Sequence, residues 1–491
     1  NSFSAHEKLL KRQVGITGSV VMRALALAIA LALLVLVDAL AHKLFDIPGR
    51  WAWVCVILAF VFSAIAGRAF DFLNYSSLLA PYAARITRCF LGATNDARYD
   101  DFNRTLTDVQ ISHLDDDIPQ HLYRPENHGG PLHLLSVCIN DTVEYASQRA
   151  LLEREGTLMT IGSFGVSVGQ NYFARWTNTV IPPDWLRLRR WIDGLTKCAA
   201  AAPALEAIQI DADPNTFHPL GRRDGRSAVV ESLSLGNWIA ISGAAFSTGR
   251  GRATKPLESL FLGLVNLRLG YWWSSGIRAT ERPGRFPGNL WRRLKELPGM
   301  VFRTQEILLS EWRGRFHGPS REFWNLTDGG HVDNSALYEL VRRRLPLIVC
   351  SDATRDIDYI FEDLASLARK IRIDFGAELL WGLPATIPPI LTGWINPAAC
   401  GSLDQIKGNR AGGGPGRIHA AVGKITYRDG VESWLVFIKS SLTGVEAIDV
   451  TEYAAANPQF PQDSTDNQFY DEQQWESYRR LGYEIATRVF V

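Results

Sequence analysis

The segment "FWNLTDGGHVDNSALYELVRRRLPLIVCSDA", 323–353, carries an acid in a place suited to chemistry. Asp328 follows a short apolar run and stands ahead of two glycines, Gly329 and Gly330. The pattern predicts a strand over "FWNLT", a helix over 335–344 and a strand over 345–350. In an open α/β sheet, ligands bind beyond the carboxyl ends of strands. An aspartate held there accepts the proton of a serine hydroxyl as it attacks an ester. The glycines admit backbone angles that other residues avoid. An Asp-Gly pair is also a common turn whose carboxylate bonds its own backbone, and on residue type the turn is the commoner.

A catalytic aspartate needs a nucleophile, which for serine sits on a tight strand-to-helix elbow, usually Gly-x-Ser-x-Gly. The literal match is "GVSVG", 165–169, centred on Ser167. The "QNYFARWTNTVIPPDW" that follows is a poor start for a helix, which favours a serine of a strand and turn. Ser242 and Ser247, in "AISGAAFSTGRG", flank small residues that permit close backbone approach. "HGGPLHLL", 128–135, has paired glycines but makes no convincing oxyanion loop. His331, just past the Gly-Gly turn, reads as a solvated or capping residue, since a triad histidine must reach serine and acid separately. Asp352 suits a helix cap or a place near the site. Asp115, Asp116 and Asp117 lack the alternating spacing of a calcium loop and read as a solvated loop.

Composition narrows the classes. A net charge of +1, with no dense basic block, argues against a nucleic-acid partner. Six cysteines, at 55, 89, 138, 198, 350 and 400, form no CxxC pair or Cys/His cluster, so neither a metal site nor a disulfide frame is expected. They fit reduced thiols in a cytosol-facing protein.

The elements that must position these residues begin with a hairpin. "SVVMRALALAIALALLVLVDAL", 19–40, has the roughly 20 apolar residues needed to cross the hydrocarbon core of a bilayer. "WAWVCVILAFVFSAIAG", 51–67, is shorter and opens on two interface-suited tryptophans. Lys and Arg flank the outer ends, which predicts both ends in the cytoplasm. Beyond it, apolar runs at 132–141, 158–168 and 345–353 predict buried strands, and 358–373 an amphipathic helix. Alternating strands and helices predict an α/β fold with a layered, mostly parallel sheet. "LGYWWSSG", 269–276, reads as core rather than as a lipid-facing patch. The expected organisation is a segment 1–18, a two-helix transmembrane hairpin 19–67, an α/β domain 68–407, a flexible Gly-rich loop 408–417, and a β-hairpin with helical extension 418–491, turning at Asp429-Gly430.

The segment 325–376 resembles the acidic-residue block of bacterial membrane-associated patatin-like phospholipases, which joins Asp-Gly-Gly to a helix of the "LYELVRRR" kind and a strand ending in Asp-Ala. "FLNYSSLLAPYAARITRCFLGA", "AISGAAFSTG", "LVNLRLGYWW", "WLVFIKSSLTG" and "STDNQFYDEQQWESYRRLG" are similar to the family in the same order, from about Phe72 to the C-terminus. The resemblance implies the C-terminal part of a patatin-type fold and a Ser-Asp dyad that needs no histidine, metal or cofactor. Asp328 would be the dyad base, with Gly329 and Gly330 shaping its turn. It further implies a membrane lipid ester as substrate, the bilayer as partner, and an inner-membrane location with the bulk of the chain cytoplasmic. Around Ser167 the family has a strand, and around Ser242 a helix lining the site. The elbow serine and oxyanion loop are therefore expected upstream of Asn1, on the same product or a separate segment. The competing expectation is a membrane scaffold or regulatory subunit that kept the fold without the serine.

Overall fold

Two helices near the N-terminus, α1 (Ala24–Lys43) and α2 (Gly49–Ala66), are 20 and 18 residues long, each long and apolar enough to cross a membrane. At 1.5 Å per residue they reach about 30 and 27 Å. α2 buries no residue, and Leu34 and Phe62 are 65% and 73% exposed, so the pair is not the core helical hairpin of a soluble fold. The computed structural model describes residues 21, 24–43, 46, 49–95, 116–120, 122–143, 156–170, 172–177, 204–206, 218–219, 228–229, 233–275, 301–321, 323–382, 387–407, 416–464 and 470–491. Segment 1–18, residues 408–415 and Cys198 lie outside these. Cys55, Cys89, Cys138, Cys350 and Cys400 are free thiols.

The chain is a mixed α/β protein that divides into two units, 1–332 and 333–491, so the boundary falls just after the Asp328 turn and inside the segment 68–407 read as one domain. In the first unit, nine strands run β1 (Leu134–Asn140), β2 (Gly156–Gly162), β3 (Gly165–Val168), β4 (Tyr172–Thr177), β5 (Ala204–Glu206), β6 (His218–Pro219), β7 (Ala228–Val229), β8 (Tyr271–Ser274) and β9 (Phe323–Asp328). Their order is β7-β5-β4-β3-β2-β1-β9-β8, with β6 on β4.

The mostly parallel sheet expected from the sequence is corrected here. Among the described strands of this unit, only β4 and β6 pair in parallel. Run 158–168, read as one strand, is two, β2 and β3, joined through Ser163 and Phe164. A parallel return needs a crossover of a dozen residues or more, so a two-residue connection permits only the antiparallel pair. Packed on the sheet are helices α3 (Asp71–Tyr75), α4 (Leu79–Ile86) and α5 (Leu235–Ser242), followed in the chain by α6 (Pro256–Leu264) and α7 (Arg303–Trp312). The core gathers Val137, Ile139, Ile161, Trp238, Trp273 and Trp324. The "LGYWWSSG" patch belongs to it, with Trp273 edge-on to Trp238 and Trp324.

The second unit has β10 (Leu347–Asp352), β11 (Glu378–Trp381), β12 (Cys400–Gly401), β13 (Ala420–Thr426) and β14 (Glu432–Lys439), in the order β10-β14-β13-β11 with β12 on β13. β10 joins β14 in parallel, whereas β13 and β14 form the expected antiparallel hairpin. Its turn places Gly430 at φ 83°, the left-handed region open to glycine. Helices α8 (Leu337–Arg342), α9 (Glu362–Phe375), α10 (Leu403–Ile406), α11 (Ile448–Ala456) and α12 (Glu472–Val489) complete the unit. The start of α8 is capped by Asp333, which accepts from Ser335 N at 3.1 Å and Tyr338 N at 2.8 Å, rather than by Asn334 or by Ser335 alone.

Candidate active site

β9 lies between β1 and β8, and its side chains alternate between two faces. Trp324 and Leu326 enter the aromatic core under α4 and α5. Asn325 and Thr327 point the other way and are fully buried. There Asn140, from β1, donates to Asn325 Oδ1 at 2.9 Å and to Thr327 Oγ1 at 3.0 Å, and accepts from Gly251 N at 2.8 Å. The segment 247–251 lies directly on this polar face, since a Cβ on Gly249 would stand 2.6 Å from Asn140 Cγ.

Asp328 ends β9 opposite Val137 and is partly buried. Its Oδ1 accepts from Gly330 N at 2.7 Å, the own-backbone bond of an Asp-Gly turn. Its second oxygen takes no hydrogen bond among the described residues. Gly329 is required by space rather than by an unusual angle, because a Cβ there would overlap the Ser136 carbonyl oxygen. Neither Gly329 nor Gly330 has positive φ, which corrects the conformational role expected of the pair. Ser242, at the end of α5, donates to that same Ser136 oxygen at 2.8 Å. Tyr82, on α4, brings its hydroxyl to 2.9 Å from where a Cβ on Gly243, next to Ser242, would stand.

The electrostatics follow from burial. Loss of water raises the Asp328 pKa, and the Gly330 N–H only partly offsets it. Tyr82 is also raised, by burial first and by the Asp328 charge second, so its hydroxyl remains a neutral donor. His331 is pushed down to about 4, chiefly by burial and further by Arg250, while a bond to the Ala245 backbone works against the shift. Its Nδ1 meets Thr327 Oγ1 at 3.1 Å. It is thus a neutral, partly buried pin for the turn, not the solvated residue expected.

The serines separate clearly. Ser167 stands on β3, opposite Thr160 and Phe173, and β3 is three strands from β9. Three spacings amount to about 14 Å, beyond the reach of the carboxylate. Ser247 is fully buried, and its Oγ has no partner among the described residues. Ser242 is brought to the turn, but at a helix end with its proton committed to Ser136. The paired glycines of "HGG" do not face a ligand, since Gly129 N and Gly130 N both donate to Pro125 O. Asp116 and Asp117 are corrected from a solvated loop. Asp116 is buried and accepts from Asn95 at 2.8 Å, and Asp117 accepts from Gly236 N in the first turn of α5 at 3.0 Å. No acidic, His or Cys cluster suited to a metal occurs among the described residues. Asp352 belongs to the second unit, where Lys439 Nζ reaches its Oδ2 at 3.1 Å and Thr354 N its Oδ1 at 2.8 Å.

No protein-family model, curated protein or solved structure matches the chain.

The arrangement presents a carboxylate of raised proton affinity at a strand end, near the C-terminal end of α5, with a phenol whose titration its charge influences. Such a group takes a proton from a hydroxyl more readily than a solvated aspartate does. Sequence reasoning missed Tyr82, Asn140 and Asn325. The one local signal was "WNLTD", where polar residues at 325 and 327 interrupt a buried strand at a spacing of two.

Proposed function

We propose that this chain is part of a membrane-anchored lipid acyl hydrolase of the patatin-like kind, with Asp328 as base. The reading is carried by one observation: a half-buried carboxylate at a strand end, with one oxygen tied to Gly330 N and its pKa raised by burial. The patatin-type layering and the placement of α1 and α2 across a bacterial inner membrane, with the bulk of the chain cytoplasmic, are part of the same proposal. The two apolar helices support the anchor by length and composition.

None of Ser167, Ser242 and Ser247 occupies an elbow, so the proposal takes the nucleophilic serine from a segment outside this chain. Asp328 accepts the hydroxyl proton as the serine oxygen adds to the ester carbonyl. It returns that proton to the departing alcohol, leaving an acyl-serine. Water then adds with Asp328 again as base, and the fatty acid leaves as the serine recovers its proton. In this proposal Tyr82, whose titration responds to the Asp328 charge, serves as a neutral donor to the developing oxyanion.

Asp328→Asn keeps the turn, because an amide oxygen still accepts from Gly330 N, but removes the base. In the complete protein, ester hydrolysis is expected to fall by about 10²–10⁴-fold with the unfolding midpoint no lower than the parent's. Turnover equal to the parent's would sink the assignment. The rival scaffold reading is favoured by the Asp328–Gly330 bond, which a turn aspartate makes without any catalytic role. It predicts no labelling of native membranes by a serine-directed fluorophosphonate at this protein.

A further inference from the structure

We infer that the α3–α4 face of the first unit lies on the lipid surface as a second, interfacial contact, so that the body is laid on the membrane and not merely tethered to it. The inference rests on the reading of α2 as a membrane span and adds a surface to it.

The joint between α2 and the body sets the geometry. Residues 301–305 run beside the last turns of α2. Phe302 packs edge-on to Phe60 at 5.6 Å, Gln305 donates to Ser63 O at 2.7 Å, and Thr304 N donates to Gly67 O at 3.1 Å. From Phe60 to Gly67 the helix advances about 10 Å. With α2 in the bilayer, Phe302 therefore lies about 10 Å below the end of the span. This edge of the body is then within the interfacial layer.

The chain leaving that joint forms a stripe. Phe72, Tyr75 and Phe90 are 62%, 76% and 72% exposed, and Leu78 lies between them at 43%. They are spread over α3, the turn that leads into α4 and the turn that follows α4, and the other face of α3 is locked. Asn74 donates to Trp272 O at 2.9 Å and accepts from Trp272 N at 2.8 Å, while Arg268 donates to Leu73 O at 2.9 Å. The outward direction of the aromatics is thereby fixed. Exposed Arg68 and Arg85 border them, and this mixture of aromatic and basic residues is what the head-group layer takes up. A contiguous exposed apolar face on a soluble surface calls for a partner. Continuity with α2 names that partner as lipid.

The test uses the full chain in liposomes, with Cys55, Cys89 and Cys198 replaced by serine and the buried cysteines retained. Single thiols for an environment-sensitive dye are introduced by Tyr75→Cys, Phe90→Cys, Phe164→Cys and Leu34→Cys. Phe164, on the β2–β3 turn, is 53% exposed and controls for an aromatic surface site elsewhere. Dyes at 75 and 90 are expected to shift to the blue and lose fluorescence to lipids carrying a nitroxide near the head group. The dye at 164 is expected to stay water-like, and that at 34 to respond to nitroxide deep in the chains. Water-like signals at both 75 and 90 with quenching at 34 would overturn the interfacial face and leave the span intact. Quenching at 75 and 90 without quenching at 34 would uphold the face and remove the span. Equal quenching at 164, or none anywhere, overturns the inference.

Discussion

The two units treat buried polar groups in opposite ways. In 333–491 each buried side-chain nitrogen or oxygen among the described residues has a partner. Lys439, fully buried on β14, donates to Asp352 Oδ2 at 3.1 Å and to Thr354 O at 2.5 Å. His419 meets Ser441 Oγ at 3.1 Å, and Thr443 donates to Glu446 at 2.6 Å while accepting from Arg488 at 3.2 Å. In 1–332, by contrast, Asp141 Oδ1, Thr160 Oγ1, Ser247 Oγ and Asn325 Nδ2 are buried without one among the described residues. Such atoms cost free energy and are uncommon in native interiors. The second unit thus uses its polar residues to hold its sheet together. The first keeps polar groups that add nothing to its stability, among them Asp141 just past β1, Thr160 on β2, Asn325 on β9 and Ser247 in the segment that crosses β9.

The largest expected effect follows from the fully paired unit. Lys439→Met removes the cation and leaves Asp352 and Thr354 facing an apolar side chain. Breaking one half of a buried pair costs about 3–5 kcal/mol. Hydrogen exchange of β10 and β14 peptides should accelerate accordingly, while that of β1 and β9 should be unaffected. Equal protection in the variant would show that the second unit does not depend on its internal pair, and the contrast between the units would be lost.

Asp141 gives the opposite sign. Burial raises its pKa to about 6, with no partner at Oδ1. A carboxyl whose folded-state pKa exceeds its unfolded value destabilises the fold while ionised. That penalty is complete above about pH 6, shrinks as the folded state takes up its proton, and is gone below the unfolded value near 3.8. Asp141→Asn should therefore stabilise the first unit by about 1–3 kcal/mol at pH 8, with no difference near pH 3. Denaturant midpoints at the two pH values check it. A variant less stable at pH 8 would mean that the charge is paired.

How much of this was legible in the sequence depended on range. The apolar length of α1 and α2, the Asp429-Gly430 turn and the strand ending at Asp328 are local facts, and each was readable. The sheet direction was not, because Ser163 and Phe164 turn the chain inside an apolar run without a strong turn pair, and periodicity alone reads straight through them. The Asp328 surroundings were hidden for a different reason. Asn140 and Asn325 meet across 185 residues, and Tyr82 arrives from a helix whose own pattern announces only a buried face. Nothing local distinguishes a serine such as Ser242, spent on a carbonyl, from one held ready to react. The unit boundary after Val332 was not legible because helix α8 follows the Asp328 turn with only a short connection, and proximity in sequence read as membership of one domain.

The smallest effect is the sharpest comparison, because it sets one serine hydroxyl against another. Ser247 and Ser441 are both almost wholly buried. Ser441 Oγ engages His419 and also donates to Ile418 O at 3.4 Å, whereas Ser247 Oγ engages nothing. Removing a paired hydroxyl forfeits its bond and strands the partner, at about 1–2 kcal/mol, but removing an unpaired one also removes its desolvation cost. Ser441→Ala should lower the denaturant midpoint of the second unit. Ser247→Ala should leave the first unit as stable as the parent or more so. If both alanines cost the same, Ser247 has a partner in solution, and it drops out of the contrast between the units.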